Sequence, residues 1–142
     1  MANIAVVDDK EILRGSLETA LIREDHEVTT FADAAEAIER IKEQRFDVVM
    51  TDLKMPGTDG LTLIRDLRAA GCETPIIVMT AYATVSTAVE AMKIGAFDYI
   101  QKPFDAETVA VLIERALEHA RLRRENEALK ATVEDIRFQR GL

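Results

Sequence analysis

Hydrophobic positions along the chain fall into two alternating kinds of run. Short apolar blocks rich in β-branched residues occupy residues 4–7, 48–51 and 75–80, each bounded by polar residues, and predict buried strands, while Ala96-Phe97-Asp98-Tyr99-Ile100 predicts a last strand. Residues 27–31 alternate weakly and predict a less buried, edge-like strand. Between these blocks, apolar residues recur at helical spacing. Ile12, Leu13, Leu17, Ala20 and Leu21 are expected on one helix face, and Ala37, Ile38 and Ile41 on another, behind a capping-box-like Asp33 and Glu36. Leu61, Ile64 and Leu67 follow a Pro56-Gly57 turn, with Thr58 or Asp59 as cap, and Gly71 as the helix stop. Val85, Ala88, Val89 and Met92 mark a fourth helix from Thr84 onward, closed by Gly95, and Asp105 caps a long last one. Five strands alternating with five helices, with the strands continuously apolar, predict an α/β fold with a parallel sheet covered on both faces.

Composition narrows this little but usefully. In 142 residues, 48% apolar content suffices for one domain with an appendage. No run approaches the ~18 apolar residues of a membrane span, and Met1-Ala2-Asn3-Ile4 lacks the basic start and long apolar run of a signal peptide. A lone Cys72 permits no internal disulfide and is expected to be inert in a reducing cytosol. His26 and His119 have no partner pattern and are expected in structural or surface roles. The formal charge of −8 argues against nucleic-acid binding by the chain as a whole. That charge is uneven: residues 1–120 carry 12 basic against 22 acidic side chains, net −10, and residues 121–142 carry 6 against 4, net +2. A boundary between a body (1–120) and a helical tail (121–142) is therefore expected near Arg121.

In a parallel sheet every strand C-terminus lies on one edge, so Asp8, Asp9, Asp52, Thr80 and Lys102 are expected to converge there although scattered along the chain. Three carboxylates at one place repel, and a divalent cation is the usual remedy. Oxygen-only ligands with open positions suit Mg²⁺. A lysine and a threonine beside a metal and a carboxylate make a trap for a tetrahedral anion such as phosphoryl, and a carboxylate can itself attack phosphorus. Each residue has a plainer reading as well. Asp52 can simply end a strand, Asp8-Asp9 cap the first helix, Lys102-Pro103 form a turn, Thr80 be a strand-end hydroxyl and Tyr99 an ordinary strand aromatic. All of these together at the ends of one sheet would be a large coincidence.

Four motifs, Val6-Val7-Asp8-Asp9, Asp52-Leu53-Lys54-Met55-Pro56-Gly57, Thr80-Ala81-Tyr82 and Tyr99-Ile100-Gln101-Lys102-Pro103-Phe104, occur in an order and spacing that resembles the receiver domain of two-component response regulators. The resemblance covers roughly residues 3–118. It implies a flavodoxin-like (CheY-like) five-stranded parallel sheet of order 2-1-3-4-5, with an extended C-terminal helix. It further implies that Asp52 accepts a phosphoryl group from a sensor histidine kinase. Asp9, Asp52 and the Lys54 backbone carbonyl would bind Mg²⁺ directly, with Asp8 helping through water. Lys102 would pair with the phosphoryl group, after a Lys102-Pro103 bond that is cis in the family. Thr80 would bond a phosphoryl oxygen, and Tyr99 would be the aromatic rotamer that follows Thr80. The chain would be a cytoplasmic regulatory phosphoacceptor, not a conventional enzyme, that catalyses transfer to and hydrolysis from its own Asp52. Residues 91–104 and the helix after them look like the nitrogen-regulation, sigma-54-dependent activators. Such activators continue into an ATPase and a DNA-binding domain, and no Gly-x-x-x-x-Gly-Lys-Ser/Thr motif occurs here. The chain is expected to be a fragment, or a receiver ending in a linker, that controls a transcription-activating output domain outside it.

Two other classes compete. A phosphatase of the haloacid-dehalogenase type needs an acid two residues after its nucleophile, where this chain has Lys54. A nucleotide- or flavin-binding module needs a glycine- or hydroxyl-rich loop after the first strand, where this chain has Asp8-Asp9-Lys10-Glu11. In the tail, Leu122, Asn126, Leu129, Val133 and Ile136 step by 4, 3, 4 and 3, the a/d spacing of a short coiled coil. A homodimer through this seam and the receiver surface is expected, the alternative being a solvated helical extension. Arg121-Leu122-Arg123-Arg124 could be read as a nucleic-acid patch, but Glu125 and Glu127 oppose that reading. No membrane contact and no direct nucleic-acid binding are expected.

Overall fold

The computed structural model describes residues 2–81 and 85–140, with side chains described for 2–81 and 86–129. The elements alternate as expected: β1 (Asn3–Val7), α1 (Glu11–Arg23), β2 (Glu27–Phe31), α2 (Ala34–Glu43), β3 (Val48–Asp52), α3 (Gly60–Ala69), β4 (Ile76–Thr80), α4 (Val85–Lys93), β5 (Asp98–Gln101) and α5 (Ala106–Arg140). The expected start of the fourth helix at Thr84 lies outside the described residues. All pairings are parallel, in the order β2-β1-β3-β4-β5. This is the order implied by the resemblance, with β2 at one edge.

Strand period divides the core in two. Ala5, Val7, Val49, Ile76 and Val78 face a layer built from α2 and α3, with Ala91 of α4. Ile4, Val6, Val48, Met50, Ile77 and Met79 face α1 and α5 on the other side. The central strands β1, β3 and β4 are therefore buried on both faces, which is why they read as unbroken apolar runs. Helix starts follow their caps. Asp33 accepts from the Ala35 N–H at 2.8 Å, Asp59 from Thr62 at 2.9 Å and Asp105 from Thr108 at 2.8 Å. The Thr108 bonds hold the Asp105 carboxyl below its usual range. Gly71 follows the α3 C-cap at φ +82°, a left-handed position where a Cβ is strained.

One expectation is corrected. Ile12, expected on one face of α1 with Leu13, Leu17, Ala20 and Leu21, is 89% exposed, while Leu17 and Leu21 are buried. The stripe runs through 13, 17, 20 and 21. Ile12 lies five residues before Leu17, about 140° around the helix from it, and so points to solvent. Both histidines have local roles. His26 Nδ1 accepts from the Ala2 N–H at 3.1 Å, and His119 packs on the Phe97 ring at 5.2 Å. Cys72 is a free, half-buried thiol.

At the N-terminal edge of the sheet, Arg68 ties three segments together. Its Nη1 donates to the carbonyls of Cys72 and Thr74 at 2.8 and 2.9 Å. Its Nε and Nη2 both donate to the Gly95 carbonyl, at 3.1 and 2.7 Å. Burial pushes the guanidinium pKa down, so the bonds offset a desolvation cost. Arg68→Ala would strip the donors from partly buried carbonyls and is expected to cost about 1–3 kcal/mol in urea unfolding. Arg65, in an exposed pair with Glu90 at 2.8 Å, is the comparison: its loss should cost ~1 kcal/mol or less. Equal losses for the two variants would show that the Arg68 carbonyl cluster carries no special stability.

Candidate functional site

The C-terminal edge is built differently. Asp8 directly follows β1 and is fully buried, Asp52 ends β3 and is nearly so, and Asp9 follows Asp8 into the exposed loop. Carboxylate oxygens of the three lie within 4.8 Å of one another. Lys102, after β5, places its Nζ 3.1 Å from Asp8 Oδ2 and 3.1 Å from Asp52 Oδ2. One ammonium against three carboxylates leaves two formal negative charges. At an effective dielectric near 20, two like charges ~4 Å apart repel by about 4 kcal/mol. The donor set is oxygen-only, with one acid open to solvent. Ligands about 2.0–2.1 Å from a shared octahedral ion sit roughly 3–4 Å apart. The cluster therefore fits a small hard divalent cation.

Local hydrogen bonds fix Asp8 and the strand end that carries Asp52. Asp8 Oδ1 accepts from the Lys10 N–H at 2.9 Å, and its backbone N–H donates to the Phe31 carbonyl at 3.0 Å. Asp52 is in register with Met79, and its carbonyl accepts from the Thr51 hydroxyl at 3.0 Å. The next residue, Leu53, donates its N–H to the Met79 carbonyl at 3.1 Å and accepts from the Gly60 N–H at 3.0 Å. Thr80, buried at the end of β4, pairs with Gln101 in register, and its carbonyl accepts from the Lys102 N–H at 2.8 Å. The Lys102-Pro103 bond is cis.

The edge thus gathers Asp8, Asp9, Asp52, Thr80 and Lys102, the last residues or near neighbours of β1, β3, β4 and β5. Lys54 lies two residues past β3, exposed in the loop to α3. Tyr99 stands apart from the acids. It opposes Val78 in the ladder and is exposed, with Ala88, Val89, Met92 and Lys93 of α4 around a shallow apolar depression. Leu122, Asn126 and Leu129 are exposed on α5. Val133 and Ile136 belong to the same helix, with side chains outside the described ones, and Tyr82 lies outside the described residues altogether.

Gly60 was not singled out in the sequence. A Cβ there would collide with the Asp52 carbonyl oxygen and stand 3.0 Å from the Leu53 Cα, both rigid backbone. The Asp59-Gly60 pair at a helix start was the available signal, but capping alone explains Asp59. Only the fold shows α3 pressed onto the strand end that carries Asp52.

A family model described as the response regulator receiver domain matches residues 4–114, so the chain belongs to that family. It is similar to the DNA-binding transcriptional regulator NtrC of Escherichia coli K12, 41% identical over 114 residues, which are 80% of this chain and 24% of that protein. It is also similar to the transcriptional regulatory protein FixJ of Bradyrhizobium diazoefficiens, 36% identical over 89% of this chain and 62% of that one. Among solved structures, NtrX from Brucella abortus in complex with ADP superposes with a TM-score of 0.85 at 35% identity, over 90% of this chain and 30% of that one. The beryllofluoride-activated NtrC4 receiver domain dimer gives 0.79 at 35% identity, over 84% and 98%. The chain spans about a quarter of the length of the NtrC relative, the receiver at its N-terminal end.

Gly60→Ala is expected to force the Asp52 carbonyl or the start of α3 to move, at about 1–3 kcal/mol in urea unfolding. Gly15→Ala, where a Cβ meets nothing within 4 Å, should leave stability unchanged or raise it. Equal behaviour of the two alanines would remove the close approach from the account.

Proposed function

We propose that the chain is a phosphoacceptor switch in which Asp52 takes a phosphoryl group from a phosphohistidine of a sensor histidine kinase. The observation that carries this is the placement of Asp52: nearly buried at a central strand end, 3.1 Å from Lys102, in a three-acid cluster. The alternatives at the same edge are weaker nucleophiles. Asp8 is fully buried with both oxygens engaged, by Lys10 and Lys102, and Asp9 is a loop acid away from the lysine. Asp52 Oδ1 has no hydrogen-bond partner among the described residues.

In the transfer, an Asp52 oxygen forms a bond to phosphorus as the P–N bond of the donor breaks, and the imidazole nitrogen keeps the electron pair and gains a proton. Hydrolysis by water later returns the carboxylate and inorganic phosphate. Asp9, Asp52 and the Lys54 backbone carbonyl would hold Mg²⁺ directly, with Asp8 acting through water. The bound cation supplies charge neutralisation at a site with two excess negative charges. Lys102 and Thr80 receive phosphoryl oxygens. Thr80 then moves toward them and Tyr99 follows, repacking the α4–β5 surface, because the phosphoryl group bonds one arrangement better than the other.

The switch is read out as assembly. A homodimer forms through the receiver surface and the 121–142 tail, with Leu122, Asn126, Leu129, Val133 and Ile136 as its seam. In a longer protein this controls a transcription-activating output domain, as the relatives' names as transcriptional regulators suggest. Action alongside an ATP-charged kinase places the chain in the cytoplasm. Among the described residues no helix is long and apolar enough to cross a membrane.

Incubation with acetyl phosphate and Mg²⁺ is expected to add one phosphoryl group by intact mass, and chelation of the metal to stop the reaction. Asp52→Asn should abolish labelling; equal labelling of that variant would sink the assignment.

The tail gives a separate expectation. Asn126 at an a position pairs with its own copy and favours two strands at a cost in stability. Truncation after Glu125 removes most of the seam and should weaken dimerisation on the order of tenfold in sedimentation equilibrium, the equivalent of ~1.4 kcal/mol. Asn126→Leu should tighten association while relaxing two-strand specificity. A truncated chain that dimerises as well as the whole would eliminate the coiled coil.

A further inference from the structure

Arg14 sits in the first turn of α1, four residues past Lys10, and its backbone N–H donates to the Lys10 carbonyl at 3.0 Å. Helical side chains lean toward the N-terminus, so its guanidinium reaches back over the β1–α1 loop. There Nη1 donates to the main-chain carbonyl of Asp8 at 2.7 Å. This short, charge-assisted bond goes to the backbone of a fully buried residue, and not to any carboxylate.

The carbonyl of Asp8 belongs to the peptide that joins Asp8 to Asp9. Asp8 itself is held from four sides, through its N–H to Phe31, Oδ1 to Lys10, Oδ2 to Lys102 and its carbonyl to Arg14. Asp9 is different. It is exposed, and no hydrogen bond to its carboxylate occurs among the described residues. Its direction is therefore set by the backbone that delivers it. A bond to the peptide oxygen restrains the plane of that peptide, and with it the point from which the Asp9 side chain starts.

We propose that Arg14 is a positioning residue for the acid cluster: by gripping the Asp8 carbonyl it orients the Asp8–Asp9 peptide and aims the Asp9 carboxylate into the cation site. The proposal rests on the reading of that cluster as a Mg²⁺ site. Arg14 touches neither the metal nor the phosphoryl group. It acts as outer-shell partners of metal ligands do, by holding a ligand where the ion needs it.

The sign of the effect separates this role from simple electrostatics. Arg14 is a fixed positive charge beside a cation site. By Coulomb's law alone, its removal raises affinity for Mg²⁺. Loss of positioning lowers it. Titration of Mg²⁺ into the unphosphorylated full chain by calorimetry reads the sign directly, without any phosphotransfer.

Arg14→Ala is expected to weaken Mg²⁺ binding about tenfold, the low end for loss of an outer-shell partner. Arg14→Met, which keeps the aliphatic stem in place, should lose as much. Arg14→Lys retains the charge and one donor and should recover part of the loss. Arg23→Ala removes the same charge from the other end of α1 and should leave binding equal or slightly tighter. With acetyl phosphate, the Arg14 variants should need more Mg²⁺ for half-maximal phosphorylation yet approach the normal rate at saturating metal. Unchanged or tighter binding in both Arg14→Ala and Arg14→Met overturns the proposal while leaving the phosphoacceptor reading intact. A wild-type chain that takes up no Mg²⁺ overturns both.

Discussion

Three carboxylates held within 4.8 Å of one another are the constraint on which the rest of this molecule depends. Two of them are buried, where water cannot screen them, and a single ammonium answers them. Such a cluster opposes folding, because in the unfolded chain the same acids are far apart and hydrated. It persists because the strands that deliver it are buried on both faces. Their apolar side chains supply the stabilisation that the edge consumes. The parallel arrangement is equally necessary: only when every strand runs the same way do residues 8, 52, 80 and 102 arrive at one edge.

The opposite edge shows what a satisfied polar cluster looks like. Arg68 gives its donors to three carbonyls at the ends of α3 and α4 and in the loop before β4. The C-terminal edge is the reverse, with acceptors in excess of donors. One end of the sheet thus has its carbonyls matched by a half-buried cation, and the other carries an excess of negative charge that suits a divalent cation. The contrast lies on the link from packing to function: the same core supports both ends, and only the charge balance differs.

Much of this was legible in the sequence, for identifiable reasons. Strands buried on both faces read as solid apolar runs, so β1, β3 and β4 and the residues that end them could be placed to within a residue. The acids, the threonine and the lysine followed from strand direction. What escaped was whatever depended on a helix's rotation or on an approach between distant backbones. Ile12 looked like a member of the α1 stripe until the helix phase set it outside. Gly60 looked like an unremarkable residue after a cap, because the pressure of α3 on Asp52 exists only in the packed fold. Arg14 gave no signal at all, since its partner is a main-chain oxygen and carries no residue type.

Helix phase also explains how one continuous helix can serve the body and the tail. The buried stripe of α5 runs through Val109, Leu112, Ile113, Ala116 and Ala120. Leu122 comes two residues after Ala120, about 200° further around, and so faces away from the sheet. It is 51% exposed, and Leu129 on the same side is 66% exposed. Arg123, about 300° on from Ala120, returns to the body side, where its Nη1 donates to the Glu73 carbonyl at 2.9 Å. Arg124 and Glu127 come back to that side as well and line the same cleft as Glu73 and Pro75. The first turns of the tail therefore carry two faces with different tasks, a charged one resting on the N-terminal edge of the sheet and an apolar one turned outward. A helix whose apolar residues all pointed inward would extend the body and offer nothing to a second chain. The half-turn between Ala120 and Leu122 is what turns Leu122 and Leu129 away from the sheet.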